Sequence, residues 1–414
     1  MTQNQKQTRR ERVLTSLSHK EPDKIPVDLS GHKSSGISAI AYARLLKYLG
    51  MPNLPVRVYD PIQQLAIVDE QILNLFNVDT IELGRSFATE DKYWKEWTLP
   101  DGSPCFLPVW LQTERLENEW VMKSKNGNTI GKMPDGCLYF EQAYYPFETA
   151  DNLDEIEAMF DEIMWTAVKS PPGPIIETIN GSEILAKGAA DLRNSTDRAI
   201  IAIFGGNLLE TGQFFYRNDN FLMLLAENPK RAEEFLDKIV QIHLRNLENF
   251  LKPIAPYIDI ILFGDDLGMQ RGPQISPEMY RRFFKPRHKL MWKRVKEIAD
   301  VKIMLHCCGG VQELLDDLID AGLDAINPVQ ISCRGMNPIE LKQKFGTRLT
   351  FWGGGCDTQT LLSYGKPSEV YDHVKKLMEI WRPGGGYVFQ QVHNILANVP
   401  PENIIAMYKA VNES

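Results

Sequence analysis

The segment Val301-Lys302-Ile303-Met304-Leu305-His306-Cys307-Cys308-Gly309-Gly310 joins an apolar run directly to a cluster of reactive side chains. The run predicts a buried β-strand. Because alternate side chains of a strand share one face, we expect His306 and Cys308 to project together beyond the strand end, and Cys307 to face the opposite side. Imidazole and thiolate are zinc ligands, so this segment predicts one half of a metal site.

Segments on both sides of this strand alternate between strand and helix patterns. A predicted helix over 312–321 ends at Gly322, a residue suited to a left-handed cap. Strands separated by helices predict a parallel sheet with right-handed crossovers. Eight such strands in a chain of this length favour an α/β fold of the (β/α)₈ TIM barrel type, with a doubly wound sheet as the alternative. The predicted strands are 24–29, 80–83, 199–204, 258–263, 301–306, 323–327, 348–352 and 387–391.

One stretch of the sequence does not follow this alternation of strands and helices. Between residues 93 and 145 short aromatic-rich runs are divided by Asp101-Gly102, Asn126-Gly127 and Asp135-Gly136, which are hairpin turn signals. We therefore predict an inserted β-meander over about 93–145, near the N-terminal third. The whole chain, 1–414, is predicted to be a single barrel domain that carries this insertion.

Composition limits the possible partners and compartment. The formal net charge of −8 argues against a nucleic-acid partner, because phosphate binding requires a basic surface. The sequence has no apolar run long enough for a membrane span and no signal-peptide pattern, so a cytoplasmic protein without membrane association is expected. Six cysteines in 414 residues do not resemble a disulfide framework, and in a reducing compartment a Cys and His cluster favours metal binding.

Barrel enzymes build their active sites from residues that follow the strands. The polar residues at these positions are Asp28, His32, Glu82, Asn207, Glu210, Asp265, Asp266, His306, Cys308, Asn327, Gln330, Cys356, Asp357, Gln390 and His393. Those with zinc-ligand chemistry that converge in this topology are His306, Cys308, Cys356 and His393. Three protein ligands would leave a fourth zinc position for substrate.

Two of these features also have structural explanations. Asp265 and Asp266 could be turn or helix-cap residues, the commoner use of Asp after a strand. The glycine triplet 353–355 could approach a phosphate, or it could let the backbone turn tightly.

The C-terminal half resembles the uroporphyrinogen decarboxylase superfamily of (β/α)₈ barrels, which includes decarboxylases and zinc-dependent corrinoid methyltransferases. The similar motifs are Gly354-Gly355-Cys356-Asp357-Thr358, the segment 387–393 and Pro401-Glu402-Asn403-Ile404. The N-terminal segment 9–26 is also similar. The resemblance implies the barrel fold.

Departures from the family pattern favour one branch of it. The decarboxylases carry two arginines in an Arg-Gln-Ala-Gly-Arg loop, where this chain has Asp28-Leu29-Ser30-Gly31-His32-Lys33. The methyltransferases have a His-x-Cys motif, which His306 and Cys308 match. Their third ligand is a Cys at the end of the last strand, where this chain has His393, so either His393 or Cys356 completes the set.

The resemblance thus implies a zinc-dependent methyltransferase that moves a methyl group between a small-molecule donor or acceptor (a methoxy compound or a thiol) and a corrinoid, methylcobalamin, carried by a partner protein. A homodimer is also expected. The residues predicted to orient substrate or relay a proton are Asp265, Asp266 and Glu210, and those predicted to bind substrate are His32, Asn207, Gln330 and Asp357. The alternatives are a decarboxylase acting on a tetrapyrrole or a smaller carboxylic acid, and a non-catalytic binding protein.

Overall fold

Seven parallel strands form a curled sheet whose spatial order follows the order of the chain. The structure is a computed structural model and describes residues 6–414, so residues 1–5 of the predicted domain lie outside the described part. The strands are β1 (Thr80–Glu82), β2 (Ala199–Gly205), β3 (Ile260–Gly264), β4 (Lys302–His306), β5 (Ala325–Asn327), β6 (Thr350–Trp352) and β7 (Tyr387–Val388). Each corresponds to a predicted strand.

The segment around Val27 joins the two edges of this sheet. Val27 forms a parallel bridge with Phe389, and its carbonyl accepts a hydrogen bond of 2.8 Å from the backbone N–H of Asp79. The result is an α/β, TIM-barrel-like fold. The predicted strand 24–29 is corrected to a single bridge, because Pro26 has no N–H and the Val27 N–H donates to the Asp79 side chain (2.8 Å) instead of to a neighbouring strand.

Helices follow the strands around the outside of this sheet. Those of six residues or more are Arg9–Leu17, Ala39–Tyr48, Glu70–Leu75, Gly181–Ser195, Leu209–Tyr216, Asn218–Glu227, Pro229–Ile254, Lys285–Ile298, Leu315–Ala321, Pro338–Phe345, Pro367–Trp381 and Pro401–Asn412. A π-helical turn, Tyr280–Phe284, precedes Lys285–Ile298. Gly322 ends Leu315–Ala321 with φ of 113°, which confirms the predicted left-handed cap.

Between β1 and β2 the chain forms two antiparallel sheets. A hairpin pairs Trp94–Thr98 with Pro104–Pro108, and a four-stranded sheet orders Thr113–Arg115, Glu119–Lys123, Thr129–Pro134 and Glu141–Gln142. The glycines of the three turn signals, Gly102, Gly127 and Gly136, have φ between 82° and 88°, a conformation that glycine adopts without steric cost.

The interior of the curled sheet is apolar, and the first helix closes one end of it. Val13 and Leu17 of Arg9–Leu17 pack with strand residues of one shared face, which are Ala199, Ile201, Ile260, Leu262, Met304, Ala325, Trp352 and Val388. Beside them the buried Arg12 lies 2.5 Å from Asp79 and 2.7 Å from Asp23. Asp79 therefore ties the first helix to the segment that bridges the sheet edges.

Within residues 6–414, each helix is too short or too polar to cross a membrane.

Candidate metal centre

Three side chains predicted as metal ligands meet at the C-terminal end of the sheet. His306 is the last residue of β4, Cys308 follows two positions later, and His393 lies beyond β7. One possible ligand atom from each lies within 4.8 Å of the other two. The Nε2 atom of His306 is 3.4 Å from the Cys308 sulfur, and the rings of His306 and His393 are 5.3 Å apart. Two imidazoles and one thiol suit Zn²⁺ and leave a fourth position open.

The neighbouring Cys307 does not belong to this group. Its side chain is buried, and its sulfur accepts a hydrogen bond of 3.2 Å from the backbone N–H of Leu267. The alternation of side chains along the strand thus separates Cys307 from His306 and Cys308, as expected.

Cys356, the alternative third ligand, also lies outside the group. It is fully buried, and burial raises the pKa of its thiol. Of the two candidates left open by the sequence, the structure places His393 next to His306 and Cys308. The sequence could not decide this, because both residues follow neighbouring strands and either could have turned inward.

A buried amide orients His306. Its Nδ1 lies 2.8 Å from the Oδ1 of Asn327, so the ring N–H donates there and Nε2 is left with its lone pair for a metal. Asn327 in turn donates to the carbonyl of Trp352 (2.9 Å) and to the side chain of Gln390 (2.7 Å). Gln390 donates to the carbonyl of Ser34 at 2.8 Å. The sequence placed Asn327 and Gln390 at strand ends but assigned them no role.

His393 adopts a left-handed backbone conformation, with φ of 63°. Burial, followed by the charges of His306 and His32, lowers its pKa to about 3, so the ring is neutral. Its Nδ1 accepts a hydrogen bond of 2.8 Å from the backbone N–H of Asn394. In a neutral imidazole that binds a metal, one nitrogen coordinates the metal and the other carries the proton, so neither can accept a hydrogen bond. The hydrogen bond from Asn394 must therefore break when the His393 ring binds a metal.

Two carboxyl groups lie beside the three candidate ligands. Asp266 accepts a hydrogen bond of 2.7 Å from the Cys308 backbone N–H, and the same oxygen lies 3.6 Å from Nε2 of His306. Glu210 accepts from the Asp266 backbone N–H (3.0 Å) and from the side chain of Asn207 (2.5 Å). Burial, together with the charges of Asp266 and Asp265, raises the pKa of Glu210 well above its ordinary value. This shift favours the protonated form of Glu210.

Asp265 has a structural position. It is fully buried, and its two oxygens accept from the backbone N–H groups of Leu209 and Glu210, each at 3.1 Å. It therefore caps the start of Leu209–Tyr216, a helix that follows the preceding strand. This matches the helix-cap alternative, and it fixes the backbone of Glu210.

Three predicted substrate-binding residues also make structural contacts. His32 is fully buried, with Nε2 3.2 Å from Asp28. Gln330 accepts from the Gly309 backbone N–H at 3.0 Å, which supports the loop after Cys308. Asp357 accepts from the Gln359 backbone N–H at 3.0 Å, in the turn before a short helix. None of the three borders the cavity described below, whereas Asn207 does.

The glycine triplet serves close packing. A Cβ atom on Gly353 would lie 2.1 Å from the Pro328 carbonyl oxygen, and one on Gly355 would lie 2.4 Å from the Phe389 ring. Gly353 also has φ of 121°. These contacts support the tight-turn explanation for the triplet.

Two of the three candidate ligands, His306 and His393, line a cavity of about 720 Å³. Its lining combines His306 and His393 with the polar residues Asn207, Glu210 and Asp266. The aromatic lining residues are Phe160, Trp165, Phe204, Phe214, Phe250 and Phe263. Among the described lining residues, Lys33 is the only Lys or Arg, and its Nζ lies 3.1 Å from Asp60. The cavity is thus aromatic, with little positive charge.

The C-terminal half of the chain is similar to a known family. Residues 212–414 match the sequence model of the uroporphyrinogen decarboxylase (URO-D) family. This part of the chain is therefore similar to the URO-D family, as the resemblance predicted.

Individual relatives match at low identity. Uroporphyrinogen decarboxylases of Methylococcus capsulatus and Saccharophagus degradans are each 25% identical, over 195 and 193 residues, and each match covers 46% of this chain. The chain spans only about half of their length, 51% and 50%. A methyltransferase from Methanosarcina mazei has a similar structure, with a TM-score of 0.59, 16% sequence identity and 98% of both chains covered. At that identity the similarity concerns the fold.

Proposed function

We propose that this protein is a zinc-dependent methyltransferase of a corrinoid pathway. The observation that carries the proposal is the group His306, Cys308 and His393, whose two histidines line an aromatic cavity together with Glu210. Methyl would move between a methoxy compound or a thiol and the cobalt of a corrinoid on a partner protein.

The three ligands fit the role of zinc in such a reaction. Zn²⁺ would supply Lewis acidity toward an ether oxygen or a thiol sulfur at its open position. His306 is already oriented by Asn327 to offer Nε2. In the metal-free protein, burial and the charge of Asp266 raise the pKa of Cys308, so metal binding would release the thiol proton.

The neighbouring carboxyl groups have separate tasks in this proposal. In the demethylating direction the substrate oxygen would leave as an alkoxide that needs a proton, and the nearby Glu210, whose pKa is raised, would donate it. Asp266 binds the Cys308 backbone and so positions the thiol. Asp265 acts through Glu210, whose backbone N–H it binds.

The decarboxylase alternative has support from the names of the sequence relatives. A tetrapyrrole substrate carries several carboxylates, which proteins bind mainly with arginine. The cavity offers Lys33, and that residue is already paired with Asp60. The charge of the cavity therefore favours the methyltransferase over the decarboxylase.

The test begins with metal content. We expect the purified protein to hold about one zinc per chain, and Cys308→Ala to lose most of it together with methyl transfer, because a thiolate ligand is removed. Elemental analysis measures the first, and the methylcobalamin absorbance formed from a reduced corrinoid and methoxylated compounds measures the second. Cys333→Ala, at a buried cysteine outside the ligand group, is the matched control. A zinc-free protein with full methyl transfer would contradict the proposal.

A further inference from the structure

One part of the cavity wall comes from the long helix Pro229–Ile254, which contributes His243 and Asn246. These residues are three positions apart and therefore lie on the same face of the helix. His243 lies in the middle of this helix, away from the strand ends at which the sequence predicted site residues. The only hydrogen bond of its ring within the described chain joins Nε2 to the carbonyl oxygen of Asn207, at 3.0 Å.

That hydrogen bond defines which nitrogen of His243 is available to a ligand. A carbonyl oxygen can only accept, so Nε2 carries the proton and Nδ1 carries a free lone pair. Burial lowers the pKa of His243 to about 4, which keeps the ring neutral and preserves this lone pair at physiological pH. The cavity thus has a hydrogen-bond acceptor on a wall formed by a different element from the metal-ligand group.

Aromatic side chains hold this acceptor in place. Phe160 and Phe204 each pack edge-on against the His243 ring, with centroids 6.2 Å away. Trp165 and Phe214 stack on each other elsewhere in the lining, 5.9 Å apart and 18° from parallel. Such surfaces favour a flat ring as the ligand, through offset or edge contacts.

The charges of the lining restrict the ligand further. Acidic groups other than Glu210 are contributed by Glu177 and Asp266, whereas the cation of Lys33 is paired with Asp60. An anionic ligand would meet acidic side chains without a free partner of opposite sign among the described lining residues. An uncharged ligand avoids this cost.

We propose that the cavity takes a flat, uncharged aromatic ligand whose hydroxyl or N–H group donates a hydrogen bond to Nδ1 of His243, next to Asn246. In the context of the proposed function, this ligand is the methyl donor or the demethylated product. The inference rests on that function only for the ligand's role. The binding preference itself follows from the cavity.

Calorimetry with the zinc-loaded full chain and no corrinoid tests this preference. The probes are 2-, 3- and 4-methoxyphenol, methoxybenzene, and 1,2-dimethoxyethane as an aliphatic ether. The best methoxyphenol is expected to bind about tenfold more tightly than methoxybenzene, since only the phenols can donate to the histidine. The aliphatic ether is expected to bind at least about tenfold more weakly than methoxybenzene, because it lacks an aromatic face.

The matched variants are His243→Phe, which keeps a ring but removes the acceptor, and His373→Phe, at a histidine that does not border the cavity. In His243→Phe the phenol preference is expected to fall to within about twofold while methoxybenzene binding stays unchanged. His373→Phe should keep the full preference. An unaltered preference in His243→Phe, or equal binding of the aliphatic ether, would overturn the proposal. If His243→Phe does not fold, the affinities of the wild type for the methoxyphenols and for methoxybenzene test the proposal instead.

These outcomes are distinct from failure of the proposed function. If the aromatic probes bind with the expected preferences but no methyl group is transferred to a corrinoid, the proposed methyltransferase function is contradicted and the aromatic-binding proposal stands. Methyl transfer from an aliphatic donor, with no binding of the aromatic probes, would remove this inference alone.

Discussion

The orientation of His306 depends on a single buried amide. We expect Asn327→Leu to weaken zinc binding about 10- to 100-fold, because the His306 ring loses the acceptor that fixes its Nδ1 proton. Competition with a coloured zinc chelator measures this. Asn327→Asp keeps an oxygen at the same position, and we expect its affinity to stay within a few-fold of the wild type. Equal affinity of the Leu variant and the wild type would contradict a positioning role.

His243 gives the protein a pH-dependent term in its stability. The ordinary pKa of 6.5 applies to the unfolded chain, and the folded value is about 4. Between pH 6.5 and pH 4, His243 is protonated in the unfolded chain but neutral in the folded protein. The free energy of unfolding therefore falls as the pH falls from 6.5 to 4. The full contribution is on the order of 3 kcal/mol.

His243→Phe removes that term, so its denaturation free energy should depend less steeply on pH than that of the wild type over this range. Denaturant unfolding in the presence of a chelator measures both proteins without metal. Parallel pH profiles would show that the folded ring titrates normally.

All three residues of the metal-ligand group were among the ligands predicted from the sequence, because strand alternation and strand-end positions are local properties of a sequence. The sequence could not select between His393 and Cys356, which depends on the path of the chain after each strand. The sequence did not indicate His243, because the position of a histidine within a helix does not show whether its side chain will face a cavity.

Among the elements, the helix Leu209–Tyr216 depends on a cap from another strand end. We expect Asp265→Ala to destabilise the protein by about 3 kcal/mol, because the N–H groups of Leu209 and Glu210 lose their buried acceptor. Chemical denaturation measures the loss. Asp357→Ala, at a more exposed turn, is expected to cost about 1 kcal/mol. Equal costs at the two sites would argue against the cap.

Element positions were largely predictable, and the exceptions have physical causes. Strands such as β3 and β4 are continuous apolar runs between turn residues, a pattern that fixes their place. The bridge at Val27 was overpredicted as a strand, because the sequence does not reveal that Asp79 takes its N–H. The Asp265 cap connects residues about 55 positions apart, which no local pattern records.

For the whole molecule, the ion pairs of Arg12 hold the first helix against the bridge between the sheet edges. Arg12→Met should destabilise the protein by about 3 to 5 kcal/mol, because Asp79 is left buried without its partner. Combining it with Asp79→Asn should cost less than the sum of the two single changes, by more than about 1 kcal/mol. Denaturant unfolding of all four proteins provides the cycle. Additive costs would mean that the pair does not couple the helix to the bridge.

The TIM-barrel-like fold was predictable as a whole because the alternation of strands and helices permits few topologies. The homodimer, the corrinoid-carrying partner and the single-domain organisation remain predictions. Each concerns surfaces or assemblies that strand and helix periodicity does not describe.

The distance along the chain between the candidate ligands has a consequence for how the protein unfolds. Cys308 and His393 are about 85 positions apart, and the chain between them contains β5, β6 and β7. A metal bound to both would act as a reversible cross-link that closes this long loop in the ensemble of partly opened states. Unfolding from the C-terminus would then stop at the loop, so metal binding would make the loss of β5, β6 and β7 a single cooperative event.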